Sequence, residues 1–198
     1  MSYDQTLTRI ETYFDQTATK TWERLTSDAP VSKIRETVRQ GRDQMRATLL
    51  AELPEDLHGA RVLDAGCGAG PTTVELAARG AHVVAIDISP ALIDIARQRL
   101  PRALYKQVEF CSGDMLAASL GYFDYVVAMD SLIYYSADDI KTALTGLAKR
   151  TSGSVLFTVA PRTRMLMAMW YAGKLFPRSD RSPVMVPHAP AALAALLQ

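Results

Sequence analysis

The sequence predicts an α/β fold: a mostly parallel sheet with helices on both faces and an N-terminal helical arm in front of it. Three observations carry that prediction. Apolar runs of strand length at 62–65, 81–87, 108–111, 123–130 and 154–160 alternate with stretches of helical periodicity. Four of them finish on or just before an acid, Asp64, Asp87, Asp114 and Asp130. The first run breaks at once into Gly66-Cys67-Gly68-Ala69-Gly70-Pro71, where a buried strand must turn directly into a helix. Strand and helix in alternation require right-handed crossovers and a sheet buried on both faces. At 198 residues, 48% of them hydrophobic, the chain has material for one such domain.

Residues 1–57 are expected to form a helical arm or lid, and residues 58–198 the ligand-binding domain. In the arm, Leu7, Ile10, Tyr13, Phe14, Trp22 and Leu25 recur with a weak helical period, and Ile34, Val38, Met45, Leu49 and Leu53 recur near multiples of four around Gly41. Such helices either cover one edge of the sheet or close over a ligand. In the second case Tyr13, Arg39, Arg42 and Gln44 face that ligand.

The glycine turn lets the backbone take positive φ and lets a ligand lie against the main chain. A helix over 72–79 follows and stops at Gly80. The next strand ends at Asp87, 21 residues beyond Gly66, the distance at which a carboxylate reaches the ribose hydroxyls of an adenosine ligand. Ser89-Pro90 caps and starts a helix with Leu92, Ile93, Ala96 and Leu100 on its inner side. The third strand leads to Gly113-Asp114-Met115, and the fourth ends at Asp130, with Asp124 marking its entrance on the far side. Ligands of parallel sheets sit at the carboxyl ends of the strands, so Gly66, Asp87, Asp114 and Asp130 are expected around one crevice. Service as loop caps is the alternative for Asp114 and Asp130.

Beyond the fourth strand, Tyr134 and Tyr135 precede a helix over 138–150 with Ile140, Ala143, Leu144 and Leu147 inward. The fifth strand ends at Pro161 and is followed by a methionine-rich helix over 162–171. Between 162 and 181 stand five basic residues and one acid. Apolar surface flanked by arginines suits a large flat molecule bearing carboxylates; a solvated basic face is the plainer alternative.

Composition excludes other classes. A net charge of +1 gives no global attraction to nucleic acid. Cys67 and Cys111, 44 residues apart, match neither a zinc site nor a redox pair, and the three histidines are isolated in sequence, so no metal site is expected. The N-terminus lacks a signal-peptide core, and the run 165–176 is too short to span a bilayer. A cytoplasmic protein is expected, with peripheral membrane contact as the remaining option.

The glycine spacing separates two cofactor classes. A dinucleotide fold uses G-x-G-x-x-G, whereas here the third glycine comes one position early and Pro71 follows. The form apolar-apolar-acid-x-G-x-G-x-G resembles the class I S-adenosyl-L-methionine-dependent methyltransferases, which implies their Rossmann-like sheet. The resemblance places Asp64, Gly66, Gly68 and Gly70 around the methionine part of the cofactor and Asp87 and Ile88 at the second strand end. It gives Asp114 the adenine amino group, Met115 the face of the ring, and Asp130 the fourth strand end. Competing readings are a nicotinamide dehydrogenase, a methyltransferase of another small molecule, and a non-catalytic adenosine-binding relative.

More specific strings are Tyr13-Phe14-Asp15 with Trp22-Glu23-Arg24, Asp130-Ser131-Leu132-Ile133-Tyr134-Tyr135, and Leu175-Phe176-Pro177 followed by His188. Together they resemble the magnesium-protoporphyrin IX methyltransferases of bacteriochlorophyll synthesis, over the length of the chain. That resemblance implies esterification of one propionate of the magnesium porphyrin, with S-adenosyl-L-homocysteine as co-product and magnesium present only within the substrate. Tyr134 and His188 are the expected catalytic pair, and Tyr13, Tyr135, Arg162, Arg164 and Trp170 the expected porphyrin contacts. Oxygenic members carry Leu-Ile-His-Tyr where this chain has Leu132-Ile133-Tyr134-Tyr135, and a tyrosine where it has Thr26. Hand-over from the porphyrin-binding subunit of the magnesium chelatase, at the photosynthetic membrane, is a further implication. The family's sheet closes with two more strands, so the apolar stretch 191–198 is expected to open a helix of a longer chain.

Overall fold

The computed structural model describes residues 3–15, 33–163, 167, 171 and 185–197. Helices α1 (Tyr3–Tyr13) and α2 (Lys33–Leu50) precede β1 (Arg61–Ala65). Then come α3 (Pro71–Ala78), β2 (His82–Asp87), α4 (Pro90–Arg99), β3 (Val108–Ser112), β4 (Tyr125–Ala128), α5 (Ala137–Ala148), β5 (Val155–Phe157) and α6 (Pro190–Leu197). The expectations for Trp22, Leu25, Thr26, Arg164, Trp170, most of the methionine-rich helix and the Leu175-Phe176-Pro177 string lie outside the described residues.

All five strands pair in parallel, in the order β3-β2-β1-β4-β5. Strand order reverses between β1 and β4, so the crevice of this Rossmann-like sheet opens at their carboxyl ends. Successive side chains point to opposite faces. Leu63, Val84, Ile86 and Val126 meet Ile140, Leu144 and Leu147 of α5 on one face. Val62, Val83, Ala85 and Val127 meet Leu50, Leu76, Ala77 and Ile93 on the other. Burial on both sides accounts for the unbroken apolar runs.

Ile10 of α1 belongs to the core on the α5 face, while Leu50 of α2 belongs to the core on the α3 face. The two helices therefore straddle the sheet, and both reach the cavity lined by the strand ends. No helix among the described residues is long and apolar enough to cross a membrane.

Local signals worked as expected at the caps. Ser89 accepts from the Leu92 N–H, and Pro90 opens α4. Asp124 holds the strand entrance, its Oδ2 accepting from the Arg61 N–H at 2.8 Å and its Oδ1 from the Ser152 hydroxyl at 3.0 Å. The ends of β4 and β5 are shorter than the apolar runs. Asp130 sits at φ 59°, a conformation no ladder can continue, and its N–H donates to the Thr158 hydroxyl oxygen at 2.7 Å.

Candidate functional site

The floor of the crevice is the turn between β1 and α3. The Gly66 and Cys67 N–H groups both donate to the Ile86 carbonyl, at 2.8 and 2.9 Å, folding the turn against β2. Gly66 (φ 79°) and Gly68 (φ 55°) are both left-handed, for different reasons. A Cβ on Gly66 would collide with the Ser131 side chain, whereas one on Gly68 would meet nothing and project into open space. Gly66 is thus required by packing, and Gly68 leaves room for a ligand.

Asp87, at the end of β2, is buried yet aimed at this turn. Its Oδ2 accepts from the Gly68 N–H and its Oδ1 from the Ser89 N–H, each at 2.9 Å. Burial raises its pKa, opposed by these backbone donors. Asp64 lies deeper, 1% exposed, and accepts from the Thr73 hydroxyl at 2.5 Å. Burial pushes its carboxyl up to about 7. The turn after β3 rests on β2 through the Gly113 N–H, which donates to the Asp87 carbonyl at 2.9 Å.

Above the floor is a cavity of about 370 Å³, the size of a small-molecule site. Leu7 and Ile10 of α1 and Phe14 just beyond it roof it, Arg39, Arg42 and Arg46 of α2 form one side, and Met129, Asp130, Ser131, Tyr134 and Tyr135 form another. Arg42 Nε stands 3.2 Å from Asp130 Oδ2, tying α2 to the end of β4. Arg46 reaches Glu75 of α3 through Nε and Asp43 through Nη2. At the far end of the roof the Tyr3 hydroxyl donates to Asp114 Oδ1 at 2.8 Å while its ring stacks on Tyr135, centroids 5.1 Å apart. Asp15 accepts from the Ser89 hydroxyl. The edge of the Phe14 ring meets Tyr134, whose phenol burial pushes up to about 12.

The structure brings together Asp64, Gly66, Gly68, Asp87, Ile88, Met115, Asp130, Tyr134 and Tyr135 around one space. Asp114 is set differently: Gly113 and Met115 line the cavity on either side of it, while its Oδ1 accepts from Tyr3 and from the Leu116 N–H. His188 is buried outside the lining, its Nε2 3.0 Å from the Tyr135 carbonyl and its N–H on the Ala160 carbonyl. Tyr13 packs on Phe14 without lining the cavity, Arg162 is exposed, and Gln44 borders a groove on the other side of α2. Sequence reasoning named Arg39 and Arg42 and missed Arg46. Their spacing of three and four residues was the available signal, since it puts all three on one helix face.

Residues 62–152 match the model of a methyltransferase domain, and residues 128–198 that of the magnesium-protoporphyrin IX methyltransferase C-terminus. The magnesium-protoporphyrin O-methyltransferase of Rhodobacter capsulatus is 64% identical over 188 residues, 94% of this chain and 84% of the relative. The chain belongs to the magnesium-protoporphyrin O-methyltransferase family. The member from Synechocystis sp. PCC 6803 is 31% identical over 194 residues, 96% of this chain and 84% of that protein. The crystal structure of the Synechocystis magnesium protoporphyrin IX methyltransferase with bound S-adenosylhomocysteine superposes with a TM-score of 0.79 at 29% identity, covering 96% of this chain and 86% of that one. The glycine turn lies in the general methyltransferase match alone, His188 in the porphyrin-specific match alone, and the Tyr134 loop in the overlap of the two.

Proposed function

We infer that the protein is an S-adenosyl-L-methionine-dependent O-methyltransferase that esterifies one propionate of magnesium-protoporphyrin IX. The observation that carries this reading is 64% identity, over 84% of its length, to a protein of that activity, on a fold whose strand ends surround an open cavity. The cavity fits the cofactor on its own terms. Beside Gly68 there is room against bare backbone, and Asp87 is fixed by two N–H donors while each of its oxygens retains acceptor capacity for ribose hydroxyls. The apolar Ile88 and Met115 suit an adenine ring, and Gly113 and Met115 line the cavity where Asp114 does not.

When bound, the cofactor supplies a sulfonium-activated methyl group, which passes to a propionate oxygen and leaves S-adenosyl-L-homocysteine. A propionate, like a glutamate side chain, has a pKa near ~4 to 5, so at neutral pH the nucleophile is already an anion. No strong general base is needed, and the work of the protein is alignment. Positioning of this kind supplies ~7 to 11 kcal/mol in favourable cases. Tyr134 remains a neutral phenol far above neutral pH, so it acts as a hydrogen-bond donor at the cavity wall. His188 acts through the backbone, its ring bracing the Tyr135 carbonyl and with it the Tyr134–Tyr135 loop. The apolar roof of Leu7, Ile10 and Phe14 shields part of the cavity from solvent. Magnesium enters only as part of the substrate.

The basic and methionine-rich stretch after β5 suits the porphyrin rim and a membrane surface, and the magnesium chelatase subunit is a fitting donor of an insoluble substrate. Titration with magnesium-protoporphyrin, followed by porphyrin absorbance with and without S-adenosyl-L-homocysteine, tests the main reading. Saturable spectral shifts at micromolar porphyrin support it. No shift, or fluorescence transfer to NADH instead, contradicts it.

A further inference from the structure

We propose that Arg42 is the receptor for the carboxylate of the methyl acceptor, with Asp130 as the residue that positions its guanidinium. The proposal rests on methyl transfer to a propionate, as argued above. An acceptor carboxylate entering this cavity meets Asp64, Asp87 and Asp130, all of them lining residues. Burying another anion there requires a cation held against it. Arg162 is exposed and outside the lining, so it does not meet that need.

Three arginines of α2 reach the cavity, and their partners separate them. Arg46, one turn further along α2, is held by Glu75 of α3 and by Asp43, which fixes it over the helix that the glycine turn begins. Arg39 pairs with Glu36 on its own helix at 3.4 Å. Arg42 instead crosses to the end of β4, beside the Tyr134 loop, with Nε 3.2 Å from Asp130 Oδ2. A guanidinium presents its N–H donors as a fork that matches a carboxylate, and Arg42 presents it at the cavity wall beside Asp130. Arg42, Asp130 and Tyr134 all line the same cavity, so the ion pair and the phenol face one space.

Asp130 carries a second, independent observation. Among the described residues it alone combines a side chain with positive φ, at 59°. That conformation is uphill for any residue with a Cβ, and such residues cluster where a side chain must be aimed. The Thr158 hydroxyl oxygen, accepting from the Asp130 N–H at 2.7 Å, keeps it there. The carboxylate so presented is the one that meets Arg42.

The test compares magnesium-protoporphyrin with its dimethyl ester, which has the same macrocycle and no free carboxylate. Binding to the full chain is followed by porphyrin absorbance, and S-adenosyl-L-homocysteine affinity by calorimetry, for wild type, Arg42→Gln, Arg42→Lys and Asp130→Asn. Wild type is expected to favour the free acid about tenfold or more, as for a charge-assisted fork. Arg42→Gln abolishes that preference, and S-adenosyl-L-homocysteine affinity stays within about twofold. Arg42→Lys and Asp130→Asn retain part of the preference, and they decide the matter if Arg42→Gln does not fold. A preference unchanged in all variants overturns the proposal alone. Loss of S-adenosyl-L-homocysteine affinity equal to the loss of acid preference also overturns it, because Arg42 then serves the carboxylate of the cofactor. Wild type that binds neither porphyrin overturns the functional reading with it.

Discussion

The Gly68 N–H donates to Asp87 Oδ2 at 2.9 Å, so the backbone of the turn after β1 is locked to the carboxylate at the end of β2. One hydrogen bond couples the two parts of the chain expected to hold the two ends of an adenosyl ligand. Replacing Asp87 with Ala removes a ribose acceptor and leaves two backbone donors without it, the half-buried one of Gly68 and the buried one of Ser89. Hydrogen bonds to a charged group contribute about 1.5 to 3 kcal/mol, so S-adenosyl-L-homocysteine should bind about 10- to 100-fold more weakly by calorimetry. An affinity unchanged in that variant would remove Asp87 from the site.

Two of the three left-handed glycines of the turn, Gly66 and Gly68, should part company on substitution. Gly66→Ala forces a Cβ into Ser131, and Gly68→Ala places one in open space. Both carry the left-handed backbone penalty of about 1 to 2 kcal/mol, and the overlap at Gly66 adds a further ~1 to 3 kcal/mol. Urea unfolding should therefore show the larger loss for Gly66→Ala, while cofactor titration of folded protein should show the larger loss of affinity per unit of stability for Gly68→Ala. The reverse order would mean that the cofactor does not lie over Gly68.

Most of this arrangement was legible in the chain. The apolar runs gave five parallel strands because both faces of the sheet are covered, and the glycine spacing with the carboxylate 21 residues on gave the crevice. Ser89 and Pro90, Gly80 and Asp124 each did what their local chemistry suggests. What could not be read were relations between distant segments. That Tyr3 engages Asp114, 111 residues away, or that His188 braces Tyr135 depends on where α1 and the last bridge dock, and no local pattern encodes it. The straddling of the sheet by α1 and α2 was hidden for the same reason, since an amphipathic helix announces a buried face without naming the layer that buries it.

Tyr3 joins the roof to the turn after β3 and to the Tyr134–Tyr135 loop, by its hydroxyl on Asp114 and its ring on Tyr135. Tyr3→Phe keeps the stack and removes the hydrogen bond, a loss of about 0.5 to 1.5 kcal/mol. Stopped-flow measurement should then show S-adenosyl-L-homocysteine leaving about 2- to 10-fold faster, with little change in its association rate. An identical release rate would mean that α1 does not gate the site.

Asp64 gives the protein a specific pH response. Its carboxyl is raised by burial from 3.8 to about 7, so between those values the unfolded chain has lost a proton that the folded chain still holds. The folded state binds more protons there, and stability falls as pH rises through the window, levelling off above about 7. Asp64→Asn should make the decline shallower while leaving the share of Asp87, whose pKa burial shifts the same way. Urea unfolding across about pH 4 to 8 reads the difference, and parallel curves for the two proteins would contradict it.

The most direct measurement is the mass and structure of the product formed from S-adenosyl-L-methionine and magnesium-protoporphyrin IX. One equivalent of S-adenosyl-L-homocysteine and a porphyrin heavier by a single CH₂, its new methyl removable by mild alkaline ester hydrolysis, is the expected result. Cofactor binding without homocysteine release, or a methyl group that alkali does not remove, would contradict transfer to a propionate in the crevice of Gly68, Asp87 and Asp130.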